Sequence, residues 1–271
     1  MLRFITLARI VGALVMVATA GGVAWMTTSS AFRLGAPEGD VSLSYADAEQ
    51  VLAAAGLEPG AHPNVVLLRT DEMRRQMMSF PAISNANVQV VLPDRVIVSL
   101  QERQPVFALR RPDATYLVSE DGLVLATVDA GRPAQLGLPS IEDDRTQSAP
   151  DVKIGGQLDA IDLAAMLELG ALTPTLVDSA ATALTLSVGD DNGYVLNAQP
   201  EGWQAIFGEY TPTLRPTDLI PRQVQCLRSL VADRESELHT IYLAPLDERC
   251  GTYLPVATTA PVVSPAPSRS R

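Results

Sequence analysis

Two histidines and two cysteines are all the imidazole and thiol chemistry this sequence holds. His62 precedes a proline and His239 stands alone, so neither has the clustered partners that a zinc site or a Ser-His-Asp arrangement needs. The G-x-S-x-G, H-E-x-x-H and P-loop patterns are missing too. Aromatic residues make up only 5% of the chain, and Lys153 is its single lysine. A net charge of -11 excludes nucleic acid and anionic lipid surfaces as partners for the bulk of the chain. Two acidic runs remain. Glu142-Asp143-Asp144 reads as a solvated loop, and Asp190-Asp191-Asn192-Gly193 as a turn lacking the later glutamate of a calcium loop. No reaction, catalytic residue, metal, cofactor or small-molecule substrate is read from this chain.

One long apolar run stands out. Arg3 and Arg9 precede an uncharged stretch from Ile10 to Phe32, apolar through Met26. The segment from about Phe4 to Met26 meets the roughly 20 residues needed to span a bilayer, and Trp25 suits the far interface. With positive charge only on its N-terminal side, residues 1–9 are expected in the cytoplasm, 10–31 as anchor and exit, and the rest outside. Ala18-Thr19-Ala20 also fits the small-x-small pattern of a cleavage site after Ala20, so a removed signal peptide is the competing reading.

The exported part opens with Phe32-Arg33-Leu34 as a brief strand. Ser44 is expected to cap a helix, with Asp47 as its capping-box partner and Ala48, Val51, Leu52 and Ala55 on one face before Gly56. Thr70 caps the next helix, whose inner stripe is Met73, Met77 and Phe80, with Met78 grouped in the core. Pro81 ends it. Ala86, Val88 and Val90 then alternate with Asn85, Asn87 and Gln89, and Val96, Val98 and Leu100 return after Leu92-Pro93-Asp94-Arg95. Pro93 and Asp94 suit the centre of a type I turn.

Beyond residue 108 the spacing predicts a hairpin at Thr115–Val118 and Leu123–Ala126. A loop follows over Leu138–Gly156, then a helix marked by Leu158, Ile161, Ala165, Leu169 and Leu172. Ala183–Val188 and Tyr194–Gln199 flank the Asn192-Gly193 turn. A strand at Trp203–Phe207, a helix through Ile220, Val224, Leu227 and Val231, and a last strand at Leu238–Leu243 complete the region. The Pro/Ser/Thr/Ala-rich residues 255–271 read as a disordered tail. Cys226 and Cys250 leave two options open, one disulfide or two buried thiols.

The run from Met73 to Phe107, ending in Glu102-Arg103-Gln104-Pro105-Val106, resembles the signature segment of the FtsQ/DivIB cell-division proteins. Leu57-Glu58-Pro59-Gly60, Ser119-Glu120-Asp121-Gly122, Phe207-Gly208 and Ile241-Tyr242-Leu243 also look like family positions. The chain departs from the pattern in its short leading segment, and in Gly35, Pro37 and Gly39 where the first POTRA strand belongs. The resemblance implies an α+β fold: a transmembrane helix, a POTRA domain (β-α-α-β-β) over 32–107, and a mixed "β domain" over 108–254, a sheet backed by helices. It implies a non-catalytic, single-pass scaffold of the inner membrane at the septum. FtsB-like and FtsL-like membrane proteins are its implied partners, connecting it to the septal peptidoglycan synthase. Two other readings are a POTRA-type chaperone of exported proteins, which calls for a barrel or several POTRA units, and an anchored wall enzyme with no recognisable site.

A sheet domain without catalytic residues acts by contact, and an open final strand offers unpaired backbone groups to a partner. Leu238, His239, Thr240, Ile241, Tyr242 and Leu243 are expected to form that strand, with Tyr242 and Tyr253 as anchors. The alternative is an interior strand that only packs the core.

Overall fold

The computed structural model describes residues 2–58, 60–200, 202–232, 234–244 and 250–256, with side chains from residue 11 onward. The flanking charges Arg3 and Arg9, Pro59 of the Leu57–Gly60 motif, and residues 257–271 of the expected tail lie outside that description. Two compact units emerge: Met1–Gln104 with Leu123–Ala126, and Pro105–Gly122 with Thr127–Arg271.

The first unit begins with helix α1, Leu2–Thr28. Its Val11–Thr28 segment is long and apolar enough to cross a membrane. Helix α2, Ala48–Ala54, is capped by Asp47, whose carboxylate accepts from the Glu49 and Gln50 amides. Ser44 is therefore not the cap. Its amide, with those of Tyr45 and Ala46, donates to the Glu102 carboxylate at 2.6–3.0 Å. A charged acceptor shared by three amides makes strong hydrogen bonds, and this gives the signature residue Glu102 a structural task. Gly56 ends α2 with φ +73°, a conformation that costs glycine little.

Helix α3, Thr70–Met78, starts one residue after its N-cap Arg69, so Thr70 is inside the helix rather than its cap. Met73 and Met77 are buried as expected, whereas Met78 is exposed. Strands β1, Ile83–Val91, and β2, Arg95–Glu102, form the antiparallel hairpin, with Val88 opposite Val98. The Leu92–Pro93 peptide in its turn is cis. Val96, Val98 and Leu100 face a core shared with Leu34, Val51, Val65 and Met77.

The first POTRA strand is not where the sequence placed it. Ser30–Phe32 is a 3-10 turn. Strand-like pairing comes later, where Glu38 bridges Ile97 in parallel and the Val98 and Leu100 amides donate to the Glu38 and Asp40 carbonyls. Gly35 and Pro37 favour turns over regular strand and delay the chain's arrival at the sheet.

The second unit contains β3 (Pro105–Arg110), β4 (Thr115–Ser119), β6 (Ser140–Asp143), β7 (Ala183–Gly189), β8 (Gly193–Gln199), β9 (Gln204–Gly208), β10 (Leu238–Leu243) and β11 (Gly251–Pro255). With β5, Val124–Val128, they form a sheet in the order β11-β10-β9-β8-β7-β6-β3-β4-β5. Pairings are parallel at β3/β6, β6/β7 and β9/β10. Helix α4, Arg132–Gln135, precedes β6. Helices α5, Ala160–Gly170, and α6, Ile220–Val231, pack on the sheet and on each other.

Strand β6 corrects the expected loop over Leu138–Gly156. It lies between β3 and β7, and both Ile141 and Asp143 are fully buried. Of Glu142-Asp143-Asp144, expected as a solvated loop, Glu142 and Asp144 are exposed, but Asp143 is buried at the end of β6. Arg145 bonds Asp143 at 2.9 Å and Asp162 at 2.8 Å, and the Tyr194 hydroxyl donates to Asp162 at 2.6 Å. Burial opposes the Arg145 charge, but its two carboxylate partners outweigh that and hold its pKa above the ordinary value. Every charge in this network has a partner, as burial requires.

Candidate partner-binding edge

The distal end of the second sheet is built from β9, β10 and β11. The alternation in Leu238–Leu243 buries Leu238, Thr240, Ile241 and Leu243 and exposes His239 and Tyr242, with two buried residues in succession at Thr240–Ile241. An irregularity in the β10/β11 register falls between Leu238 and Thr240. Thr240 stays satisfied because its hydroxyl oxygen accepts from the Gln204 amide at 3.1 Å. His239 Nδ1 lies 2.9 Å from the same oxygen.

Contrary to the expectation of an open last strand, β10 is interior. It pairs with β9 in parallel and with β11 in antiparallel fashion. The outer position belongs to β11, which has no further neighbour among the described residues. Of the seven residues singled out from sequence, Leu238, Thr240, Ile241 and Leu243 pack inward, while His239, Tyr242 and Tyr253 reach solvent. Leu254 and Val256 are exposed beside Tyr253 and were missed. Five residues ending in proline, just after a cysteine, carry too little alternation to mark a strand.

Three links hold β11 in place. Cys226 on α6 is disulfide-bonded to Cys250, with Cα atoms 5.0 Å apart, so the option of two thiols falls away. The Ala244 amide donates to the Cys250 carbonyl at 3.3 Å and the Val256 amide to the Glu237 carbonyl at 2.9 Å. Gly251, at φ +141°, begins the strand where a Cβ would lie 2.2 Å from the Tyr242 carbonyl oxygen. Only glycine permits that approach.

Beside Tyr242 opens a cleft of about 570 Å³, lined by Asp190–Gly193, Ile206, Gly208, Glu209, Thr211, Leu214, Arg215 and Leu243. The Asp190 carboxylate is already occupied. Amides of Ser148, Thr146 and Gln147 and the Thr146 and Ser148 hydroxyls donate to it at 2.8–3.0 Å, which holds its pKa well below the carboxylate range. The Arg215 guanidinium lies over Gly208 and donates to the Phe207 carbonyl, and its partial burial lowers its pKa. Asp191 and Glu209 leave the rim acidic. The arrangement offers hydrogen-bonding strand edge, exposed aromatic and aliphatic side chains, and a polar cleft. Those are the means of recognition by contact.

Residues 42–103 match the family model described as POTRA domain, FtsQ-type. Two curated relatives are each named "Cell division protein FtsQ". The one from Mycolicibacterium smegmatis is 29% identical over 140 residues, covering 48% of this chain and 40% of the relative. That from Chloroflexus aggregans is 27% identical over 126 residues, covering 46% of this chain and 45% of the relative. The match thus spans less than half of either relative's length. Residues 42–103 are therefore similar to FtsQ-type POTRA domains, and about half of the chain is similar to proteins named for cell division.

Proposed function

We propose that this chain is a non-catalytic, single-pass scaffold of the bacterial division machinery, with its N-terminus in the cytoplasm and its two folded units outside. It binds FtsB-like and FtsL-like membrane proteins, and through them couples to the septal peptidoglycan synthase. The observation that carries the binding role is β11, an outer strand bearing Tyr253 and Leu254 and tied down by a disulfide. A partner segment adds to it as a further strand, with main-chain bonds supplying affinity and alternate side chains specificity. The bonded cysteines agree with an oxidising compartment.

Depletion in the native bacterium, combined with imaging of a fluorescent fusion, tests the role. Mid-cell fluorescence with failed septation is the expected result. Envelope defects without a division block would instead point to a chaperone of exported proteins. Topology is checked by N-terminal sequencing of the membrane-bound protein, where a chain starting at Gly21 would show that the apolar segment is a removed signal.

A further inference from the structure

The end of α1 is built into the POTRA unit rather than tethered to it. The Asn64 side-chain amide donates to the Met26 and Thr27 carbonyls at 2.9 and 3.0 Å, two of the acceptors that a helix end leaves unsatisfied. Its oxygen accepts from the Val66 amide. Arg33 bridges Asn64 in antiparallel register, and the Leu34 amide donates to the Pro63 carbonyl at 2.9 Å. Phe32 meets the Trp25 ring edge-on at 5.8 Å and also packs on the POTRA core. These contacts fix the 3-10 turn Val65–Leu67 at the level of the last turn of α1.

That turn divides its three apolar residues unequally. Val65 is 2% exposed and belongs to the core, whereas Val66 is 40% and Leu67 61% exposed. The Val11–Thr28 span, at about 1.5 Å per residue, rises close to the roughly 30 Å of a hydrocarbon core. Met26, Thr27 and Trp25 then stand at the water interface, where tryptophan is favoured. Val66 and Leu67 are two and three residues from the side chain that holds those carbonyls.

We infer that Val66 and Leu67 form a membrane foot: they enter the interface of the leaflet from which α1 emerges and give the POTRA unit a second contact with the bilayer. The inference rests on reading α1 as a membrane span. The occupant is lipid because the exposed pair sits beside the end of the apolar α1, on the turn that Asn64 ties to the Met26 and Thr27 carbonyls. Arg33, which bridges Asn64 and is exposed, suits the phosphate level. Anchored at two points, the unit holds a set orientation to the membrane.

The full chain, reconstituted alone in phosphatidylcholine–phosphatidylglycerol vesicles, provides the test. With the native disulfide intact, a single environment-sensitive fluorophore is placed at Leu67→Cys, Val15→Cys or Leu176→Cys. The label at position 67 is expected to emit blue-shifted light and be quenched by lipids with a shallow nitroxide. Position 15 should be quenched by deep nitroxides, and position 176 should behave as in water. Adding Asn64→Ala should shift the label at 67 toward water. If position 15 is quenched while 67 remains aqueous, the foot is refuted and the anchor stands, and the exposed pair awaits a protein partner instead. If position 15 is also aqueous, the anchor reading fails and the foot with it.

Discussion

Ile241 and Tyr253 face each other across the β10/β11 ladder, yet Ile241 is fully buried and Tyr253 is 37% exposed. The pair marks the passage from core to edge within one strand spacing. Ile241 has a strand on either side, while Tyr253 has one on a single side. Two large side chains set in one register are thus assigned to different tasks.

Substitutions at the two positions should separate those tasks. If the proposed partner binds this edge, Tyr253→Ala is expected to weaken its capture from membranes about 30-fold, the scale of a 2 kcal/mol hot spot, without altering circular dichroism. Ile241→Ala should cost about 2–5 kcal/mol of stability through the cavity it leaves. Full-strength capture by both Tyr253→Ala and a chain ending at Cys250 would place the binding edge elsewhere.

Removing the disulfide should loosen the same strand. The cysteines are 24 residues apart in sequence, and a loop of that size is worth about 3 kcal/mol in chain entropy. Cys226→Ser with Cys250→Ser is expected to lower the urea midpoint accordingly and to speed hydrogen exchange at Thr252–Leu254. An unchanged midpoint would mean that α6 and the β10 ladder hold the strand unaided.

The Asp143–Arg145–Asp162 network makes an asymmetric prediction. Arg145→Met strands two carboxylates and should cost about 3–5 kcal/mol. Tyr194→Phe removes one hydrogen bond to Asp162 and should cost about 1 kcal/mol. Urea denaturation of both variants checks the order, and equal losses would show that the network does not act through charge.

Asp190 makes stability depend on pH. Its folded pKa lies below its unfolded value of about 3.9, so its contribution is present above that value and is lost as pH falls toward the folded pKa. The difference in melting temperature between the parent and Asp190→Asn should be full at pH 7 and should shrink progressively as pH falls below about 4. A gap that stays constant from about pH 7 down to about pH 2 would assign the effect to loop geometry rather than ionisation.

Local pattern explains what could be read in advance. In α3, Met73 and Met77 are one helical turn apart and both are buried. In the hairpin, Val88 and Val98 meet because period-two alternation and a proline turn set a single register. The Asn192-Gly193 turn was legible for the same reason, since its chemistry lies in adjacent residues. The cap at Asp47 was misplaced to Ser44 because the deciding partner, Glu102, is far away in sequence.

Burial of Asp143 and the edge position of β11 have no local cause. Ser140–Asp143 is a strand because β3 and β7 flank it, and Asp143 is tolerated inside because Arg145 turns back to meet it. β10 is interior because Gly251 lets β11 approach the Tyr242 carbonyl and Cys250 is tied to α6. Helices, turns and the apolar span follow from interactions within a few residues, so the chain's order alone expresses them. Which strand borders solvent depends on pairings between distant segments, and those exist only after the sheet has assembled.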